Sequence, residues 1–207
     1  MAGCCHDDDC AASALAERQA RMLWVVLVIN AVMFVVEFGA GWVAGSTALL
    51  GDSLDMLGDA LVYGFSLVAV ARGARWKAAS AGLKGGIMAA FGIAVLLEAG
   101  AKALWGVAPA SGLMAGIGVL VLLANAACLV VLTRHRGDDV NMSSAWVCSR
   151  NDIVANVGVL VAAGAVALTA SPWPDILVGT AVALLFLRSA VRVLGDARRS
   201  WDAAPAG

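Results

Sequence analysis

Charged side chains are scarce in this chain. Only 14% of its 207 residues are Asp, Glu, Lys or Arg, and they gather in short clusters between long apolar runs. That scarcity excludes an ordinary soluble domain, whose apolar share is about 45–50%. Here the share is 61%, with a mean hydropathy of +0.87. Net charge is −1 and no basic stripe with interleaved aromatics occurs, so nucleic acid is not an expected partner. Cysteine is sparse and odd in number: Cys4, Cys5, Cys10, Cys128 and Cys148. Three of the five crowd the first ten residues and the other two fall inside apolar runs, which argues against a secreted disulfide framework. A cleavable leader is not expected, because the N-terminus is acidic and the first apolar run is too long for a signal-peptide core.

What is present is the pattern of a polytopic membrane protein. Six apolar spans, each near the ~20 residues needed to cross a bilayer, run over Met22–Val43, Thr47–Ala71, Leu83–Val107, Leu113–Leu132, Ser143–Ala170 and Ile176–Leu194. The expected fold is all-α, a six-transmembrane-helix bundle. Residues 1–21 would form a cytoplasmic tail, 22–195 the membrane domain, and 196–207 a short C-terminal cytoplasmic tail. Lys and Arg fall at Arg18/Arg21, Arg72/Arg75/Lys77/Lys84, Arg134/Arg136 and Arg192/Arg198/Arg199, and are absent near Gly45, Gly106–Gly112 and Ser171–Pro174. By the positive-inside rule both termini face the cytoplasm, and a bacterial cytoplasmic membrane is the expected location.

Into the second span the chain inserts Asp52, Asp55 and Asp59. At ~100° per residue, offsets of three and seven hold the three side chains within about 60° of one another. Acids on one stripe of an apolar helix are costly unless they meet a cation, a proton or water. The fifth span answers with Cys148 and Asp152, four apart on one helix face. Asp55, Asp59, Cys148 and Asp152 would together offer three carboxylates and a thiolate to one dication. Zinc takes such ligands tetrahedrally at about 2.0–2.3 Å, and the thiolate favours softer ions such as cadmium over Mg²⁺ or Ca²⁺. Ligands must lose protons to bind metal, so alternating exposure of one such site couples metal movement to opposite proton movement.

Other polar residues read less sharply. Glu37 in the first span suits either a polar cavity and proton path or an acid bonded to a neighbouring helix near the outer surface. Glu98 and Lys102, four apart, suit a structural ion pair. Asn30, Asn125 and Asn156 can join helices by hydrogen bonds, and Asn156, one turn beyond Asp152, could orient that ligand. Cys128 reads as packing. In the tail, Cys4, Cys5, His6 and Cys10 could capture a thiophilic cation, although their spacing fixes no tetrahedral site.

The run Gly45-Ser46, then Ala48-Leu49-Leu50-Gly51-Asp52, then Asp55-x-x-x-Asp59 resembles the cation diffusion facilitator family of divalent-metal exporters, which carries [His/Asp]-x-x-x-Asp on its second helix. Cys148-Ser-Arg-Asn-Asp152-Ile-Val-Ala-Asn156 is similar to the matching motif on that family's fifth helix, and Asn141-Met-Ser-Ser to the entry into it. The resemblance implies a six-helix membrane fold and export of Zn²⁺, with Cd²⁺ beside it, by proton antiport. It also implies a tetrahedral site of Asp55, Asp59, Cys148 and Asp152, with Asp52 outside the ligand shell, and usually a homodimer. Two departures stand out: Cys148 replaces the commoner His or Asp, and neither the family's C-terminal cytoplasmic domain nor its His-rich loop is expected here, so dimerisation is expected through membrane helices. No enzymatic activity, catalytic residue or resident cofactor is expected; metal and protons are cargo and counter-ion. The competing readings are a proton-coupled exporter of small organic cations, a membrane metal sensor that transports nothing and, lacking its further motifs, an intramembrane aspartyl enzyme.

Overall fold

Apolar runs with no water to satisfy their backbones can cross a bilayer only as helices or closed barrels. This chain takes the first route. The computed structural model describes residues 4–69, 74–133 and 140–203, with side chains described from Arg21 onward except at 23, 62–63, 65–69, 74–75, 77, 140–145 and 147–148. Six helices follow in order: α1 (Cys4–Ala44), α2 (Thr47–Ala69), α3 (Ala74–Trp105), α4 (Ser111–Thr133), α5 (Val140–Thr169) and α6 (Trp173–Asp202). Among the described residues there is no strand, and the all-α six-helix bundle is as expected.

Five stretches, in α1 and α3 to α6, are long and apolar enough to cross a membrane. The remaining helix, α2, has 23 residues, about 34 Å at ~1.5 Å per residue, but carries Asp52, Asp55 and Asp59. Helices α1, α3 and α6 outrun their apolar spans, starting at Cys4 and Ala74 and ending at Asp202. Hydropathy marks where lipid begins, whereas a helix continues for as long as its backbone bonds do. The side chains of Cys4, Cys5, His6 and Cys10, proposed for metal capture, lie outside the described residues.

The perimeter suits lipid. Val32, Val35, Leu97, Leu123, Val161 and Leu185 are exposed, as a bilayer-facing surface requires. Trp42, Trp105 and Trp173 lie at the end where α1 turns into α2, and Trp24, Trp76 and Trp201 towards the opposite end. These are the two interfacial belts that amphipathic indoles form.

The corner between α1 and α2 sets the depth of the acidic helix. Gly45 sits at φ +61°, a left-handed conformation that glycine adopts without strain. Ser46 N–H bonds Gly41 O at 2.8 Å and Gly45 N–H bonds Trp42 O at 3.2 Å, closing α1 with a Schellman turn. Ser46 then caps α2, its Oγ accepting from Leu49 N–H at 3.1 Å.

Small residues bring α2 against α6. A Cβ on Gly51 would lie 2.9 Å from Gly179 O, and one on Gly179 would lie 2.3 Å from Thr47 O. The backbones therefore touch, as glycine permits in membrane bundles. Gly179→Ala is expected to lower the thermal unfolding midpoint in detergent by an amount equivalent to about 1–3 kcal/mol of overpacking. Gly164→Ala, where nothing lies within 4 Å, should leave it unchanged. Equal midpoints for the two variants would show that α2 and α6 do not meet there. Helix α3 lies antiparallel to α6: Leu194 fills the space beside Gly85, and Leu187 that beside Gly92. Leu50, Leu54, Met88, Ala183 and Phe186 join α2, α3 and α6 in one core cluster.

Candidate functional site

The acids of α2 face the interior. Asp52 is 1% exposed and Asp59 8%, whereas Asp55 is only half-buried. From α5, Asp152 is 7% exposed and points into the same region, with Asp59 its strongest charged neighbour, followed by Asp55 and Asp52. Asp55 and Asp59 of α2 and Asp152 of α5 are thus electrostatic neighbours across two helices. Among the described residues, no three His, Cys, Asp or Glu side chains converge closely enough to hold a metal ion. Cys148 belongs to the helical turn before Asp152, and its side chain lies outside the described residues. Asn156 is buried, and its amide donates to the main-chain oxygen of Asp152 at 2.5 Å rather than to the carboxylate.

Glu37 resolves in favour of the interior. It is fully buried on α1 and its carboxyl faces Asp52. The four oxygens of the two groups find no hydrogen-bond donor. Cys128 is buried beside Val26 and Leu132, the packing role expected of it.

The expected Glu98–Lys102 pair gives way to a network that joins three helices. Lys102 Nζ pairs with Asp175 at 2.7 Å and also donates to Gly45 O, while Thr47 Oγ1 donates to Glu98 at 2.7 Å. Asp175, in the first turn of α6, was not singled out in the sequence. Its carboxylate accepts from Ser46 Oγ at 2.6 Å, Thr47 N–H at 2.8 Å and Ala48 N–H at 3.0 Å. An acid on α6 thereby caps the N-terminus of α2, where unsatisfied N–H groups and the helix dipole both favour negative charge. The available signals were an acid directly after Pro172-Trp173-Pro174 and a lysine, Lys102, close to a connection otherwise free of positive charge.

A polytopic helical bundle with a core of ionisable acids is the architecture of a membrane protein that handles cations. Residues 23–200 match the family model for the cation efflux transmembrane domain, and the chain belongs to that family. It is 28% identical over 197 residues to the zinc transporter ZitB of Yersinia pestis, covering 87% of this chain and 62% of that protein. Against the zinc transporter ZitB of Escherichia coli (strain K12) the identity is 30% over 195 residues, with the same 87% and 62% coverage. The chain therefore spans less than two thirds of the length of these curated relatives.

Proposed function

We propose that this protein exports Zn²⁺, and Cd²⁺ beside it, from the cytoplasm in exchange for protons, by alternating access around one intramembrane site. Asp55 and Asp59 of α2 and Cys148 and Asp152 of α5 are the ligands, with Asp52 and Asn156 close by. The observation that carries the reading is the burial of Asp59 and Asp152 as charged neighbours on two different helices of a cation-efflux bundle. Family membership and the similarity to curated zinc transporters support the choice of cargo. A dication held by these ligands displaces their protons, and its loss lets protons take its place. Both termini lie on the cytoplasmic side of a bacterial cytoplasmic membrane, residues 22–195 form the membrane domain, and two copies associate through membrane helices.

The test is metal uptake by proteoliposomes across a panel of Zn²⁺, Cd²⁺, Co²⁺ and Ni²⁺. Imposing a pH gradient of the antiport sense should accelerate zinc uptake, and collapsing it should slow uptake. Lower pH on the metal-loading side should weaken zinc binding, because protons compete for every ligand. Equal rates with and without the gradient would rule out antiport. In Cys148→His and Cys148→Asp the cadmium-to-zinc ratio should fall, since both replace a soft sulfur with a harder donor. A ratio unchanged in both variants would remove the thiol from the ligand set.

A further inference from the structure

Glu37 and Asp52 are ionisable groups that the four-ligand site does not use. Their juxtaposition follows from the antiparallel register of α1 on α2. Gly41 lies against Leu49 and Leu50, and Met33 shares a core cluster with Met56, so Glu37, midway along α1 between them, stands opposite Asp52. The side chains are 0% and 1% exposed, face each other across the α1–α2 contact, and their four oxygens have no donor. The charged neighbours acting on Glu37 are Asp52 and Asp55 from α2 and Asp152 from α5, all of one sign. The buried Lys102 is engaged by Asp175 and Gly45 at the other end of the network. Two carboxylates in contact, sealed from water and without a cation, cannot both stay ionised. One proton resolves the conflict: the protonated carboxyl becomes a donor and the other accepts.

We propose that Glu37 and Asp52 form a proton-binding site separate from the metal ligands, holding one proton between them in the metal-free carrier and releasing it when a dication binds beside Asp55. The bond broken is the carboxyl O–H, and the proton passes to water reached past the half-buried Asp55, next along the same stripe. The positive charge of the metal then takes over the role of the proton in balancing the pair. When the metal leaves, the pair regains a proton from water on the opposite face. The site thus adds one proton to those displaced from the ligands themselves. The assignment rests on the metal-site reading given under the proposed function.

Two measurements on the full chain in phosphatidylethanolamine/phosphatidylglycerol nanodiscs test it, comparing wild type with Glu37→Gln and Asp52→Asn. Both variants keep shape and supply an amide donor to the remaining carboxylate, so the pair is satisfied without a proton. In the metal-free protein at neutral pH, wild-type-minus-variant infrared difference spectra should show the same protonated, hydrogen-bonded carboxyl band for both variants, and that band should shift in D₂O. Absence of that band from both difference spectra overturns the proposal. Titration with zinc in buffers of different ionisation enthalpy should then show one proton fewer released per zinc in each variant, with zinc still bound. An unchanged proton count in both would equally overturn it. If wild type binds no zinc, the transport reading fails, and the metal-free band still decides whether the pair holds a proton.

Discussion

Zinc uptake by proteoliposomes containing Asp59→Ala is expected to fall at least about 100-fold, to the leak of protein-free vesicles. Loss of groups that merely orient a metal ligand costs about 10–100-fold in metal affinity or activity, so loss of a direct ligand should exceed it. Asp59 is the α2 acid that acts most strongly on Asp152, and removing it leaves α5 without its main counterpart. Asp152→Asn should therefore fail to the same extent. The double variant should fall no further, because ligands that act as a unit are not additive. Helical content and elution volume should match wild type, since an acid near the centre of an apolar bundle costs stability rather than supplying it. Flux retained by Asp59→Ala would remove Asp59 from the ligand set. A wild type that binds metal without moving it would instead favour a sensor.

The spans could be read from composition because lipid imposes a single requirement, about 20 apolar residues with their backbone bonds satisfied locally. Helix ends could not, because nothing in water obliges α1 or α6 to stop where lipid does. The i,i+4 spacing put acids on one face of α2, and the burial of Asp52 and Asp59 follows from it, since acids in an apolar helix have few ways to be accommodated. Glu98 and Lys102 show the limit of that logic. Spacing on one helix allowed a local pair, but the N-terminus of α2 brings N–H donors, a hydroxyl and Asp175 into competition for the same charges. Tertiary partners won, and only the three-dimensional register of α2, α3 and α6 reveals them. Glu37 is similar. Alone in its span it admitted two readings, and only the contact of Gly41 with Leu49 and Leu50 sets it opposite Asp52.

Substituting Asp175→Asn should cost about 3–5 kcal/mol, because it leaves the Lys102 ammonium buried without its counter-charge. Part of the loss comes from weakening the cap on Thr47 and Ala48, where such bonds contribute about 1 kcal/mol. Lys102→Met should cost less, since Asp175 keeps the Ser46 hydroxyl and two backbone N–H donors, enough to solvate a carboxylate. The combined Asp175→Asn/Lys102→Met variant should be more stable than Asp175→Asn alone, because no unpaired ammonium remains; that inversion is the signature of coupling. Glu98→Gln retains an acceptor for Thr47 Oγ1 and should cost no more than about 1 kcal/mol. Denaturation in detergent micelles measures all four. If Asp175→Asn unfolds no earlier than Glu98→Gln, the α2 cap is not what fixes the acidic helix. If the expected order holds, the Asp175–Lys102 network ties α2, α3 and α6 together at the end where α2 begins.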